Sequence, residues 1–321
     1  MTGPREVSPG VYCLELPLPW EIKTVNTYLA PLADGYLLVD SGAGTEACFD
    51  ALRDSLLSVG VRLDELRGIF LTHFHPDHTG LAARIQSISG AKIWMHPAEA
   101  ENLRAMSDPA KWLEAKETEL TIAGVPAGIQ RQMGTVFSAL RLSYLEVHPT
   151  EAVRGGEIVR SLIGPLTVVW TPGHSRGHVC LHQKERRLFF SGDHILPGIT
   201  PNIPWVDGHD TLGDYLDSLR HIETLPIDLV LPAHGLPFSG HREWIGETVR
   251  HHRDRCREIR ELLTGQAQTA HEIACLVWKR ETDPLHHFFA AMEAMAHLEH
   301  MYRLGEVSFH LNAGARKWEI A

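Results

Sequence analysis

An α/β fold built from two mixed β-sheets covered by helices is what three features of this 321-residue sequence predict. Short β-branched runs bounded by Gly, Pro or Asp recur through the first two thirds. Helical patterns lie between several of them, and some neighbouring runs are joined by hairpins too short for a helical crossover. The expected strands cover residues 11–16, 36–40, 68–71, 92–95, 166–170, 179–183, 188–191 and 228–231, and the expected helices between them cover 45–59, 77–88 and 211–225. The hairpin around Lys184 and Glu185 makes two runs antiparallel while other strands lead into helices, so a mixed sheet pair fits better than one parallel sheet. Neither a dinucleotide-binding fingerprint nor a Walker sequence is present.

Two further regions have helical texture. Residues 98–145 form an insertion between strand-like regions, with apolar positions Trp112, Leu113, Leu120, Ile129, Met133, Val136, Phe137 and Leu140. It is large for a connection, which suits a lid or pocket wall as well as a simple cover for sheet surface. Beyond Gly240 the helices 243–263, 269–278 and 284–304 precede a hairpin of 307–310 and 317–320, an arrangement resembling a small winged-helix appendage. At roughly 150 residues per domain, the length suits two domains, placed at 1–244 and 245–321.

Composition narrows the class. A hydrophobic fraction of 44% with 22% charged residues is globular, and a net charge of −10 disfavours phosphate backbones as partners. The N-terminus lacks a basic segment followed by an apolar run, and residues 161–175 are too short and too interrupted to span a bilayer, so no membrane partner is expected. The cysteines Cys13, Cys48, Cys180, Cys256 and Cys275 are odd in number and include no C-x-x-C pair. That argues against a disulfide framework and for a reducing cytoplasm.

The chemistry concentrates in residues 71–80, reading LTHFHPDHTG, directly after the apolar run 68–71. On extended chain His73 and His75 project to the same side, and Asp77 and His78 fall where the chain turns into a helix. Imidazoles and a carboxylate without thiolate suit zinc, with iron and manganese as alternatives, in a site with an open coordination position.

With these residues the sequence resembles the metallo-β-lactamase-fold hydrolases. The likeness continues in order through Leu37–Asp40 (LLVD), Thr171–His174 (TPGH), Ser191–Asp193 (SGD) and Leu231–Gly235 (LPAHG). It implies an αββα sandwich. It also implies that His73, His75 and His174 hold one divalent cation, that Asp77, His78 and His234 hold a second, and that Asp193 bridges them. Asp40 would not ligate but would accept a hydrogen bond from a ligand imidazole. Two divalent cations against two carboxylates and a hydroxide leave a net positive site, suited to a developing oxyanion. His178 and His194 read as structural. Trp205, in the proline-rich loop 197–205, suits a substrate mouth or plain packing.

The implied reaction is hydrolysis of a small ester, thioester or lactone by hydroxide held between the cations, with Asp77 and Asp193 as the catalytic carboxylates. Zinc β-lactamases of the superfamily lack the bridging aspartate, and its single-metal sulfur dioxygenases use fewer ligands. Its acyl-homoserine lactonases offer a tyrosine soon after that aspartate, where this chain has Ile195 and Leu196, leaving Tyr215 as the nearest phenol. The competing reading is a β-lactamase-like endoribonuclease or phosphodiesterase, favoured by the tail and by residues 250–260, which hold five arginines against two acids. No aromatic platform is interleaved there, which favours a solvated helix face. A metal-free scaffold is a third reading, disfavoured because every ligand position holds a competent residue. Leu285, Phe288, Phe289, Met292, Met295 and Leu298 form an apolar helix face suited to a second copy of the chain or to an internal core.

Overall fold

A computed structural model of the chain describes residues 3–141, 147–278 and 284–321. The end of the expected insertion, 142–145, and the side chain of Leu140 lie outside the described residues. Chain order is β1 (Arg5–Ser8), β2 (Val11–Pro17), β3 (Thr24–Leu32), β4 (Gly35–Val39), α1 (Glu46–Ser58), β5 (Leu66–Phe70), α2 (Pro76–Thr79), α3 (Ala82–Ser89) and β6 (Lys92–Met95). The insertion follows as α4 (Pro97–Ala105), α5 (Pro109–Ile122) and α6 (Ala127–Arg141). Next come β7 (Glu151–Ala152), β8 (Ile158–Ser161), β9 (Gly164–Trp170), β10 (Val179–Gln183), β11 (Leu188–Gly192), α7 (Thr211–Glu223) and β12 (Leu229–Pro232). The chain ends in α8 (His241–Leu262), α9 (Ala270–Val277), α10 (Pro284–Arg303), β13 (Val307–Asn312) and β14 (Ala315–Ile320).

Strands β1 to β7 form one sheet in sequence order, antiparallel up to β4 and parallel beyond it. The second sheet runs β12-β11-β10-β9-β8, parallel only between β11 and β12. The two-residue period of a strand explains how the layers form. Phe190 points inward to pack edge-on against Tyr28 of the other sheet, at 5.5 Å between ring centroids. Its neighbour Phe189 points outward into the core under α7 to α10. Helices α1 and α3 cover the outer face of the first sheet through Leu52, Leu56 and Ile85. The result is the αββα sandwich.

The structure corrects the sequence reading in places. The expected helix 77–88 is two helices, α2 and α3, interrupted at Gly80 and Leu81, and position 80 is glycine because the backbone of Gly44 occupies the space a Cβ would need. Strands β1, β3, β7 and β8 were not anticipated; β3 carries Asn26, Thr27 and Pro31, which break the apolar alternation.

The insertion and the tail share one core: Trp112, Leu120, Met133 and Phe137 are buried with Met292, Met295 and Leu298 of α10. Phe137 meets Phe288 edge-on at 4.9 Å. The apolar face of α10 is therefore spent largely inside the chain, although Phe289 stays exposed. The 244/245 division falls inside the first turn of α8. On that helix Arg255 pairs with Glu258 and stacks over Trp278, and Arg257 pairs with Asp254, which partly neutralises the arginine run. Among the described residues no helix is long and apolar enough to cross a membrane.

Candidate metal centre

His73, His75, Asp77, His78, His174, Asp193 and His234 meet at one edge of the sandwich, in loops that follow strand ends. His73 and His75 sit between β5 and α2, and Asp77 and His78 lie on α2. His174 follows β9, Asp193 follows β11 and His234 follows β12. The side chains sort into two groups, each with its ligand atoms within 4.8 Å of one another: His73, His75, His174 and Asp193, and Asp77, His78 and His234.

In the first group three ring nitrogens face each other. His73 Nε2 is 2.9 Å from His75 Nδ1, and His174 Nε2 is 3.3 Å from His73 Nε2 and 3.1 Å from His75 Nδ1. Tetrahedral ligands at about 2.0–2.1 Å from a zinc ion are separated by about 3.3 Å, so the spacing suits a cation. The carboxylate of Asp193 spans both groups: Oδ2 is 3.7 Å from His174 Nε2, and Oδ1 is 3.5 Å from both His78 Nε2 and His234 Nε2. Asp77 Oδ2 lies 3.4 Å from His234 Nε2 and 3.8 Å from His78 Nε2. Buried His78 Nε2 and Asp193 Oδ1 have no hydrogen-bond partner, an expensive arrangement unless a cation satisfies them.

The far side of each ring fixes which nitrogen faces inward. His78 Nδ1 donates to Asp40 Oδ2 at 2.8 Å, His174 Nδ1 to the Asn202 carbonyl at 2.8 Å, and His234 Nδ1 to the Thr24 carbonyl at 2.9 Å. His73 Nδ1 lies 3.0 Å from Thr72 Oγ1, which itself donates to Asp40. In each case Nε2 is the nitrogen turned inward, toward the position a cation would take. Asp40 thus orients His78 directly and His73 through Thr72. It adopts a left-handed φ of 60°, uncommon for a residue with a side chain, while its backbone N–H bonds to Phe70 and its carboxylate to Thr72 and His78. Gly173 is required where it is: its φ is 140°, and a Cβ there would strike the backbone and Cβ of Tyr215.

Charge follows the same plan. Burial and the neighbouring imidazoles hold His73 well below the ordinary histidine range, and burial with His174 pushes His75 down to about 3. Both imidazoles are therefore uncharged at physiological pH, the state that metal binding requires. Burial opposes charge on His78 and His234, yet the carboxylates around them hold both above the ordinary value. Burial likewise resists charge on Asp193, but His234 and His78 draw it well below the usual carboxylate range. The pocket is built around positive charge at its centre.

Several contributors carry no motif and escaped the sequence reading. Glu99, fully buried at the start of α4, accepts from Gly177 N at 2.6 Å and from Phe74 N at 3.0 Å. It thereby ties the loop bearing His73 and His75 to the loop bearing His174. Burial pushes its carboxyl up to about 7, with those backbone donors opposing the rise. His178 does more than fill space: its Nδ1 lies 2.8 Å from Thr171 Oγ1 and its Nε2 accepts the Asp193 backbone N–H at 3.3 Å. Glu293 of α10 accepts from Asn202 Nδ2 at 3.1 Å, so the tail supports the loop that orients His174. β3 clasps the His234 loop, with Asn26 Nδ2 donating to the carbonyls of Pro232 and Gly235 and Tyr28 Oη to Pro232.

Other expectations are redirected. Trp205 is buried beneath α10, its backbone N–H donating to the Met292 carbonyl, and so packs rather than lining an open mouth. Tyr215 is also buried and donates to the His194 carbonyl at 3.0 Å, which removes it as a free phenolic donor. His194 is buried among these rings, and neither ring nitrogen has a hydrogen-bond partner, in keeping with a packing role.

Comparison with known proteins gives the same picture. The sequence model described as "Metallo-beta-lactamase superfamily" matches residues 22–234, and that of "Metallo-beta-lactamase-like, C-terminal domain" matches residues 256–317. The chain is similar to "Probable metallo-hydrolase YqjP" of Bacillus subtilis (strain 168), 28% identical over 82% of this chain and 83% of that protein. It is 30% identical to the acyl-coenzyme A thioesterase MBLAC2 of Bos taurus, over 68% of this chain and 75% of the relative. Its backbone superposes on a metallo-beta-lactamase family protein from Thermus thermophilus with a TM-score of 0.87, at 29% identity over 98% of this chain and 100% of that one.

Proposed function

Because the chain belongs to the metallo-beta-lactamase superfamily and is a metal-dependent hydrolase of that kind, we propose that it uses two divalent cations, most simply Zn²⁺, to hydrolyse a small acyl thioester. The observation that carries this reading is Asp193, whose two oxygens face two separate ligand groups. His73, His75 and His174 would hold one cation and Asp77, His78 and His234 the other, with Asp193 shared. All donors are nitrogen or oxygen, matching zinc and the harder first-row cations. When bound, such a pair lowers the pKa of water and polarises the carbonyl under attack.

The chain's own residues prepare that chemistry. Asp40, Thr72, Asn202 and the Thr24 carbonyl hold the imidazoles in one tautomer, and His178 and Glu99 hold the loops in register. Asp77 Oδ2, facing His234 Nε2, is placed to take a proton from the attacking solvent molecule and return it to the leaving group. Ile22, Ile199 and Phe289 are exposed apolar side chains on segments that support the ligands, and would offer apolar contact to an acyl chain. The thioester is preferred over an ester or lactone because of the likeness to an acyl-coenzyme A thioesterase. The helices and hairpin of the tail, in an order like that of a winged helix, would serve here as a buttress for the site.

Turnover on a panel of acyl-coenzyme A thioesters, lactones, aryl esters and phosphodiesters, measured with metal content per chain, tests this. Thioester cleavage that depends on two metal equivalents held by the sheet-edge residues, lost on chelation and restored by Zn²⁺, is the expected result. Cleavage of phosphodiesters without cleavage of thioesters would overturn it.

A further inference from the structure

A second group of ligand-competent side chains lies in the helical tail, apart from the centre described above. His271 and Cys275 are four residues apart on α9 and so share one face, and His287 in the first turn of α10 faces them. Their ligand atoms all lie within 4.8 Å of one another. Cys275 Sγ is 3.7 Å from His271 Nε2, and the two imidazole rings are 6.0 Å apart between centroids. For ligands at about 2.3 Å (sulfur) and 2.0–2.1 Å (nitrogen) from a tetrahedral zinc ion, the sulfur-to-nitrogen edge is about 3.6 Å. His271 is buried, and its Nδ1 has no hydrogen-bond partner, so the ring is not anchored by a carbonyl or carboxylate behind it. Burial and the nearby His287 hold it below the ordinary histidine range, leaving its nitrogen free to ligate. Cys275 is a free, exposed thiol, which opens the group to solvent on one side.

We infer that His271, Cys275 and His287 form a separate binding site for a zinc-class cation, with solvent reaching its fourth position. Binding forms a metal–sulfur bond and releases the thiol proton of Cys275 to solvent, so uptake weakens as pH falls. The cation would pin α9 to the first turn of α10, the helix whose Glu293 supports the loop of His174. A soft thiolate among its donors distinguishes this site from the nitrogen- and oxygen-lined centre at the sheet edge.

That difference supplies the test, independent of any hydrolase activity. The purified full chain, exchanged into Co²⁺, should show the near-ultraviolet thiolate-to-cobalt charge-transfer absorption that ligation by nitrogen and oxygen alone cannot produce. Cys275→Ser, at an exposed position, should abolish that band, lower bound metal by one equivalent per chain and leave thioester turnover within twofold of the parent. His287→Ala should lose the band as well. The inference is overturned if the parent shows no such band, in which case the short Cys275–His271 distance is a simple hydrogen bond. It is overturned equally if the band survives either substitution.

Discussion

Two sets of histidines in this molecule are held under contrasting conditions. At the sheet edge His78, His174 and His234 each have a ring nitrogen anchored by a carboxylate or carbonyl at 2.8–2.9 Å, and the other nitrogen faces inward. In the helical half, His252 is buried against His297 at 3.2 Å with its Nε2 unpartnered, and His271 has no partner for Nδ1. Burial holds His252 down to about 2, so that ring is an uncharged packing element. An imidazole becomes a prepared ligand when something behind it fixes its tautomer, and imidazole content alone is a poor guide to chemistry. By the same criterion the site at His271, Cys275 and His287 should bind its cation more weakly than the sheet edge does.

The comparison is broken most severely by removing the shared carboxylate. Asp193→Ala should lose metal and turnover together, with kcat/KM down on the order of 10³-fold or more; metal analysis beside kinetics checks it, and retained turnover removes Asp193 from the mechanism. Asp40→Asn leaves the metal-facing atoms in place but spoils the anchoring of His78 and Thr72, so metal affinity should fall about 10- to 100-fold, read by competition with a chromophoric chelator.

Glu99→Gln probes the tie between the two ligand loops. One amide oxygen cannot accept from both Phe74 N and Gly177 N as the carboxylate does, so stability should drop by about 1–3 kcal/mol, seen in denaturant unfolding. The smallest effect is expected at Glu293. Burial raises its carboxyl from 4.5 to about 7, with Asn202 opposing the rise. Between those values the unfolded chain has already lost the proton that the folded chain keeps, so this group's contribution to stability falls as pH rises through that window. Glu293→Gln should flatten that slope in thermal unfolding across pH while leaving turnover near that of the parent.

Legibility in the sequence followed how local each determinant was. The run from Leu71 to Gly80 places four polar side chains within six residues after an apolar strand, and a strand's two-residue period already puts His73 and His75 on one side. His174, Asp193 and His234 became readable only as an ordered set resembling a family. Glu99, Asn202 and Glu293 stayed invisible because they act through contacts to residues far away in sequence: 78 positions separate Glu99 from Gly177 and 91 separate Asn202 from Glu293. β3 was missed for a related reason. Its Asn26 reads as a strand breaker until the His234 loop arrives to accept from it.

The two halves of the sandwich each supply only part of either ligand group. His73, His75, Asp77 and His78 belong to the first sheet's loops, whereas His174, Asp193 and His234 belong to the second's. During synthesis from the amino end, four of the seven emerge early and must wait for partners at least 96 positions further along the chain. The first enclosure cannot close until Asp193 has been made and the second until His234 has, so the order of translation itself delays metal capture until the second sheet exists to complete it.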